Sequence, residues 1–96
     1  MSLKKGNKVR INYEELVKGY EITIKQSLKD NPFTSESLTR SIVSDEIKKM
    51  KDFDEEYGDV RTIISISYKN LYGKNKINRY TLNNDFVYYG KELEKA

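Results

Sequence analysis

Residues 59–82, DVRTIISISYKNLYGKNKINRYTL, decide both the fold and the charge pattern of this 96-residue chain. No Asp or Glu occurs from Val60 to Asn84, whereas seven acidic residues lie within 45–59. The acid-free stretch combines cations with core-type apolar residues. A folded surface of that kind is typical of a protein that faces an anionic partner.

The stretch predicts a helix over 60–72, followed by a β-hairpin. Asp59 has the short acceptor side chain of an N-cap, and Gly73 stands where a glycine commonly ends a helix. At about 100° per residue, one face of this helix is apolar and the other carries hydroxyls with a cation near each end. The apolar face consists of Val60, Ile63, Ile64, Ser67 and Leu71. The opposite face consists of Arg61, Ser65, Lys69 and Tyr72, with Thr62 and Tyr68 beside it.

A strand is the competing interpretation of the same residues. The segment 62–68 (TIISISY) alternates as a strand does, and its β-branched residues favour strands. Residues 60–70 would then form the first strand of an antiparallel meander. We prefer the helix because Gly73 and the alternating segment 77–82 (INRYTL) follow it, as a helix terminus and a strand would.

This helix–strand unit resembles the recognition helix and first wing strand of winged helix-turn-helix DNA-binding domains. The positions that carry the resemblance are Val60, Arg61, Ile64, Leu71, Gly73, Lys76, Ile77, Arg79, Tyr80 and Leu82. Upstream, 18–22 (KGYEI) is similar to the first helix of PadR-like members, whereas 43–58 is longer and more acidic than their connecting segment. The resemblance implies a mainly α fold with a small β-hairpin (α+β), arranged as a winged helix-turn-helix.

Two helices are expected before this unit. Asn12 caps a helix from Tyr13 to about Lys29, which Pro32 prevents from continuing. Thr34 or Ser35 then offers the cap of a second helix. Its apolar side consists of Leu38, Ile42, Ile47 and Met50. The acidic segment 52–58 (DFDEEYG) is expected to be a solvated loop.

The C-terminal part is predicted to complete the wing. Lys76–Leu82 and Phe86–Tyr89 pair as a hairpin across the turn-forming residues 83–85 (NND). The alternative is a terminal helix over Asp85–Lys95 that Asn84 caps. In both cases 86–89 forms an apolar and aromatic cluster, which serves either as core or as a dimer contact.

Length and composition restrict the function classes. The chain is long enough for one domain, with 1–10 as a basic N-terminal arm or disordered terminus and 11–96 as the winged-helix domain. The net charge of +3 agrees with an anionic partner. The absence of Cys and His excludes disulfides and thiolate metal sites and removes the commonest general base. We therefore expect no enzyme, metal or cofactor. No stretch is apolar enough for a signal peptide or a membrane span, so a cytoplasmic location is expected.

Double-stranded DNA is the partner that these features favour. The expected contacts are Arg61, Thr62, Ser65, Lys69 and Tyr72 from the helix, Lys74, Lys76 and Arg79 from the wing, and Lys4, Lys5, Lys8 and Arg10 from the arm. Arg61 is the residue expected to read a guanine. We expect a homodimer that spreads along DNA, acting as a transcriptional repressor or as the centromere-binding component of a plasmid partition system with a partner protein. The alternative is a plasmid- or phage-encoded protein-interaction module or inhibitor without DNA binding.

Overall fold

The computed structural model describes residues 3–71 and 75–96. In this part of the chain, one strand is followed by two helices and then by four strands. The elements are β1 (Lys8–Ile11), α1 (Tyr13–Asp30), α2 (Glu36–Tyr57), β2 (Val60–Leu71), β3 (Asn75–Leu82), β4 (Val87–Tyr89) and β5 (Leu93–Lys95), with a 3-10 turn at Gly90–Glu92. The strands form an antiparallel sheet in the order β4-β3-β2-β1-β5. The α+β class is confirmed.

The prediction of a helix over 60–72 is wrong, because Val60–Leu71 is strand β2 and the first strand of a meander. The strand has one irregularity. A β-bulge shifts the register between Ile63 and Ser65, so that Ile63 lies opposite Leu82 and Ile66 lies opposite Tyr80. Both isoleucines therefore face the same side of the sheet although they are three positions apart, which interrupts the alternation expected of a strand. With its many β-branched residues, the segment follows its strand propensity instead.

The two predicted N-caps are confirmed. The side chain of Asn12 accepts a hydrogen bond from the backbone N–H of Glu15 at 3.2 Å, and that of Ser35 accepts one from Leu38 at 3.2 Å. The acidic segment 52–58 is not a loop, since α2 continues to Tyr57. Gly58 then leaves the helix with φ +88°, a conformation that glycine adopts without strain.

The C-terminal segment also forms strands, so the alternative of a terminal helix over Asp85–Lys95 is wrong. The hairpin of β3 and β4 is confirmed, with a turn in which Asp85 has φ +67°. Four Cα–Cα steps join the end of β4 to the start of β5, a reach of at most about 15 Å. The two edges of a flat five-stranded sheet would lie about 19 Å apart. The sheet is therefore curled, and both helices pack against its inner side.

The core lies between the helices and the inner side of this sheet. It consists of Val9, Ile11, Leu16, Met50, Ile63, Tyr80, Leu82, Tyr88 and Leu93. The expectation of a free arm over 1–10 is thus wrong for Lys8–Arg10, which belong to β1 between β2 and β5, with Val9 fully buried. Of the C-terminal cluster 86–89, Tyr88 is core, whereas Val87 remains half exposed.

A largely buried carboxylate, that of Asp54 with its side chain 12% exposed, joins α1, α2 and β2. Asp54 accepts a hydrogen bond from the Tyr13 hydroxyl at 2.5 Å, and its other oxygen lies 3.5 Å from Nε of Arg61. Arg61 is 1% exposed, donates to the carbonyl of Gly58, and places its guanidinium 4.5 Å from the centre of the Phe53 ring. Burial of the hydroxyl and the hydrogen bond to Asp54 raise the pKa of Tyr13 well above its ordinary range. The phenol thus stays protonated and acts as a donor.

Removal of the Arg61 side chain is expected to destabilise the fold strongly. Arg61→Ala leaves the largely buried Asp54 carboxylate without its cation, and loss of one partner costs about 3–5 kcal/mol where a pair is fully buried, which is the upper limit here. Arg10→Ala is the matched control, because Arg10 pairs with Asp59 at 3.2 Å on the surface, where a pair contributes about 1 kcal/mol or less. Urea unfolding of both variants measures the difference. Equal losses would contradict the structural role of the buried pair.

Candidate nucleic-acid interface

The hairpin of β2 and β3 extends beyond the rest of the sheet. β1 pairs with β2 only from Val60 to Thr62, and β4 pairs with β3 only from Arg79 to Thr81. Towards the hairpin tip, β2 and β3 are therefore paired only with each other within the described residues. We call the hairpin beyond the bulge, 65–71 with 75–81, the ribbon; it is two-stranded over 68–71 with 75–78, and β4 adds a third strand beside 79–81.

The ribbon has two chemically different faces. Its outer face, which points away from the helices, presents Ser65, Ser67 and Lys69 of β2 opposite Thr81, Arg79 and Ile77 of β3. Its inner face continues the core side of the sheet and presents Ile66 and Tyr68 opposite Tyr80 and Asn78. Small hydroxyls and cations dominate the outer face. Such side chains donate hydrogen bonds to phosphates and base edges without steric bulk.

The charge of the ribbon is uncompensated. It contains Lys69, Lys76 and Arg79, and no acidic residue occurs from Val60 to Asn84. Within the described part of the chain, these three cations form no ion pair. Lys76 instead lies over the ring of Tyr68, with its ammonium 4.7 Å from the ring centre. The ribbon therefore projects a positive potential into solvent.

Arg79 lies in the middle of the outer face. It stands opposite Ser67 on β2 and opposite Tyr89 on β4. Its Nε is buried and has no hydrogen-bond partner among residues 3–71 and 75–96. The residue as a whole is only partly buried. Because a guanidinium donates well to the oxygens of a carboxylate or phosphate, Arg79 is a candidate donor to an anion on the outer face.

The positively charged outer face of the ribbon continues onto β1 as far as Lys8 and ends there. Lys8 lies opposite Thr62 and donates to its hydroxyl at 2.6 Å. Arg10 is paired with Asp59 at 3.2 Å and lies opposite Glu94 on β5, so its charge is balanced. The interface is therefore the ribbon with Lys8 at its base, and β5 lies outside it.

The structure brings together only part of the predicted site. Ser65, Lys69, Lys76 and Arg79 share the ribbon, and Thr62 and Lys8 adjoin it. Lys4 and Lys5 are exposed in a turn that Asn7 closes, where its side chain accepts from the N–H of Lys4 at 2.9 Å. Tyr72 and Lys74 lie outside the described residues.

The assignment of Arg61 as the guanine-reading residue is wrong, because its side chain is buried against Asp54 and Phe53. Sequence reasoning missed Ser67, which it placed on the apolar face of a helix, and Thr81 as members of the outer face. Side chains alternate strictly between the two faces of the sheet on both sides of the bulge. Once β2 is known to be a strand, this alternation identifies Ser67 and Thr81 as outer-face residues.

Comparison with protein families, with characterised proteins and with solved structures found no match to this chain. Neither α1 nor α2 has the length and apolar character that a membrane crossing requires, among the helices of the described ranges. Within those same ranges, no three His, Cys, Asp or Glu side chains are grouped so that they could hold a metal ion.

A cavity of about 220 Å³ lies between α1 and the turn that follows β4. Its polar wall is Glu92, which is 6% exposed and accepts a hydrogen bond from the N–H of Tyr89 at 2.7 Å. Gly19 permits this approach, since a Cβ there would lie 3.1 Å from the second oxygen of Glu92. Burial raises the pKa of this carboxyl, against the opposing effects of the Tyr89 hydrogen bond and Lys91. Glu92 thus closes the 3-10 turn and is a structural element.

Glu92→Gln is expected to stabilise the protein at neutral pH. Because the folded state raises the pKa of Glu92 above the ordinary 4.5, the folded chain binds more protons than the unfolded chain, and stability falls as pH rises through that window. Glutamine keeps the acceptor for Tyr89 and removes the charge. Thermal unfolding at pH 4 and pH 7 should show equal stability at the acid end and a gain for the variant at pH 7. A gain in thermal stability of the same size at both pH values would contradict this explanation.

Proposed function

We propose that this protein binds double-stranded DNA through the outer face of the ribbon. The observation that carries the proposal is a projecting hairpin without acidic residues, two-stranded towards its tip, whose outer face combines hydroxyls with Lys69 and Arg79. Phosphate contacts supply most of the affinity of such surfaces, and Arg and Lys are their usual donors. The element that faces DNA is thus a ribbon, in place of the recognition helix expected from the sequence.

The dimensions of the ribbon suit the major groove. Two paired strands lie about 4.8 Å apart, and a major groove about 12 Å wide admits a two-stranded β-ribbon. Ser65 and Ser67 project from the same face as the two cations and are short enough to let the backbone approach the base edges. Arg79 then takes the role of the bidentate donor that Arg61 cannot fill.

The charge predicts weak, salt-sensitive binding by one copy. Contact of three phosphates by the outer-face cations Lys8, Lys69 and Arg79 gives a slope of about −3 in a plot of log affinity against log salt. Such a module serves a transcriptional repressor or the centromere-binding part of a plasmid partition system. In the second use, the exposed acidic residues at the end of α2 would contact a basic partner protein or a neighbouring copy along the DNA. Those residues are Asp52, Glu55 and Glu56.

Exposed apolar side chains favour a second candidate function, a protein-interaction module or inhibitor without DNA binding. Phe33 at the tip of the α1–α2 hairpin is 96% exposed, and Leu38 and Ile42 on α2 are more than half exposed. Isolated exposed apolar residues are common, but a helical hairpin that ends in an exposed ring suits a partner groove. This candidate predicts that random duplex DNA does not bind at low salt.

Removal of the outer-face cations is expected to weaken DNA binding and its dependence on salt. Lys69→Ala with Arg79→Ala deletes two phosphate contacts, so the salt slope should become shallower by about 2. Lys25→Ala with Lys29→Ala on α1 is the charge-matched control and should retain the slope of the parent chain. Fluorescence anisotropy with a random duplex, at salt concentrations from about 50 to about 200 mM, gives both slopes.

Two results would overturn the proposed function. One is the absence of binding by the parent chain at low salt, which would favour the protein-interaction candidate. The other is an equal loss in the two double variants, because binding would then follow net charge and would not depend on the ribbon. Circular dichroism on each variant confirms that the fold is retained.

A further inference from the structure

We propose that a second copy of this chain pairs with the free edge of β2, antiparallel and about a two-fold axis at Tyr68. The inference does not depend on DNA being the ligand. It follows from the backbone of the ribbon, from the side chains of its inner face and from the surface area of the chain.

Within residues 3–71 and 75–96, the edge of β2 that faces away from β3 has no pairing strand beyond the bulge. β1 covers β2 as far as Thr62, and the chain before β1 adds only Gly6 and Asn7, which exchange hydrogen bonds with Ile63 at 2.7 and 3.0 Å. Among the described residues, the backbone of 65–71 has hydrogen bonds to β3 alone. A strand edge of this length is a template for another strand.

The direction of the free hydrogen-bonding groups follows from the ladder. Leu82 donates its N–H to the carbonyl of Phe86, on the β4 side of β3. Because directions alternate along a strand, Arg79 turns its N–H and C=O towards β2, and its partner Ser67 turns its own towards β3. The residue on each side of Ser67 therefore presents its N–H and C=O at the free edge. Tyr68 is one of these residues.

Steric limits determine the register. A partner strand cannot pass Ile63, because Gly6 and Asn7 already occupy the position beside it. The available segment is 65–71, and its centre is Tyr68. Two-fold pairing at this centre places Tyr68 opposite the partner's Tyr68 as a hydrogen-bonded pair. The pairs on either side are Ile66 with Asn70 and Ser67 with Lys69, each in both directions.

The side chains are compatible with this register. Tyr68 and Ile66 are 58% and 41% exposed on the inner face, where the two tyrosine rings would meet. Aromatic cross-strand pairs stabilise sheets, whereas like charges directly opposite each other destabilise them. Lys69 would stand opposite Ser67, so no like charges oppose each other. A centre one residue later would set Lys69 against itself.

The surface area of the chain also favours an interface. The chain exposes 6899 Å², whereas a compact monomer of 11.3 kDa exposes about 5700 Å². The excess is larger than the roughly 800 Å² that each partner contributes to a standard interface. Pairing at β2 would join the two outer faces into one four-stranded surface with Lys69 and Arg79 from both copies.

Tyr68→Lys tests the edge by placing two lysines opposite each other at the axis. Sedimentation equilibrium of the parent chain should give a mass approaching twice 11.3 kDa at high concentration, and the variant should dissociate about tenfold more readily or more. Val87→Lys is the control, because Val87 is a half-exposed apolar residue on the edge strand β4. A parent chain that stays monomeric, or a Tyr68→Lys variant that dimerises as the parent does, would overturn the proposal.

Cysteine crosslinking tests the register, and the chain has no Cys of its own. Hydrogen-bonded partners in an antiparallel pair have Cα atoms about 5.5 Å apart, within the range of a disulfide. Tyr68→Cys should therefore form a covalent dimer on oxidation faster than Ser67→Cys or Lys69→Cys. Faster crosslinking at Ser67 or Lys69, or equal slow crosslinking at all three positions, would overturn the assignment of the axis to Tyr68.

Discussion

The largely buried carboxylate of Asp54 is the constraint on which the arrangement of this chain depends. It accepts a hydrogen bond from the Tyr13 hydroxyl of α1 and lies beside the guanidinium of Arg61 on β2, while its own backbone belongs to α2. A charged group that is largely removed from solvent needs partners around it, so the three elements can meet in few ways. Gly58 completes the arrangement, because its positive φ turns the chain from α2 into β2 and its carbonyl accepts from Arg61. Arg61, the residue predicted from the sequence to read a guanine, is therefore a buried structural residue of the fold.

The bulge near Ile64 and the curl of the sheet then determine which surfaces remain open. The bulge changes the phase of β2, so that Ile63 enters the core and the serines that follow face outwards. The three-residue turn between β4 and β5 draws the sheet edges together on the side of the helices. As a consequence, the outer side of the sheet is free of helices, and β2 and β3 continue past their neighbours as a ribbon. The same geometry that exposes Lys69 and Arg79 on one face leaves Ile66 and Tyr68 uncovered on the other.

The proposed DNA contact and the proposed pairing of two copies use different parts of this ribbon. One uses side chains of the outer face, and the other uses the backbone edge of β2 with the inner face. A surface for an anion requires uncompensated charge, whereas a strand edge requires free N–H and C=O groups and no opposed like charges. Both conditions hold here because Lys69 and Arg79 lie on the outer face without acidic neighbours in the stretch, while the free edge of β2 is centred on the uncharged Tyr68.

The sequence by itself determined the two helices with their caps at Asn12 and Ser35, the hairpin of β3 and β4, and the abrupt change of charge at Val60. Capping side chains and turn residues act on neighbouring residues of the chain, and the number of charges does not depend on the fold, so these features can be predicted from the sequence. Only the tertiary structure decided that 60–71 is a strand, that Lys8–Arg10 lie within the sheet, and that Arg61 is buried while Arg79 faces outwards. The bulge interrupts the alternation of β2 at one point, so the local pattern fits a helix and a strand alike. The burial of a cation depends on a carboxylate that the fold brings to it from another element.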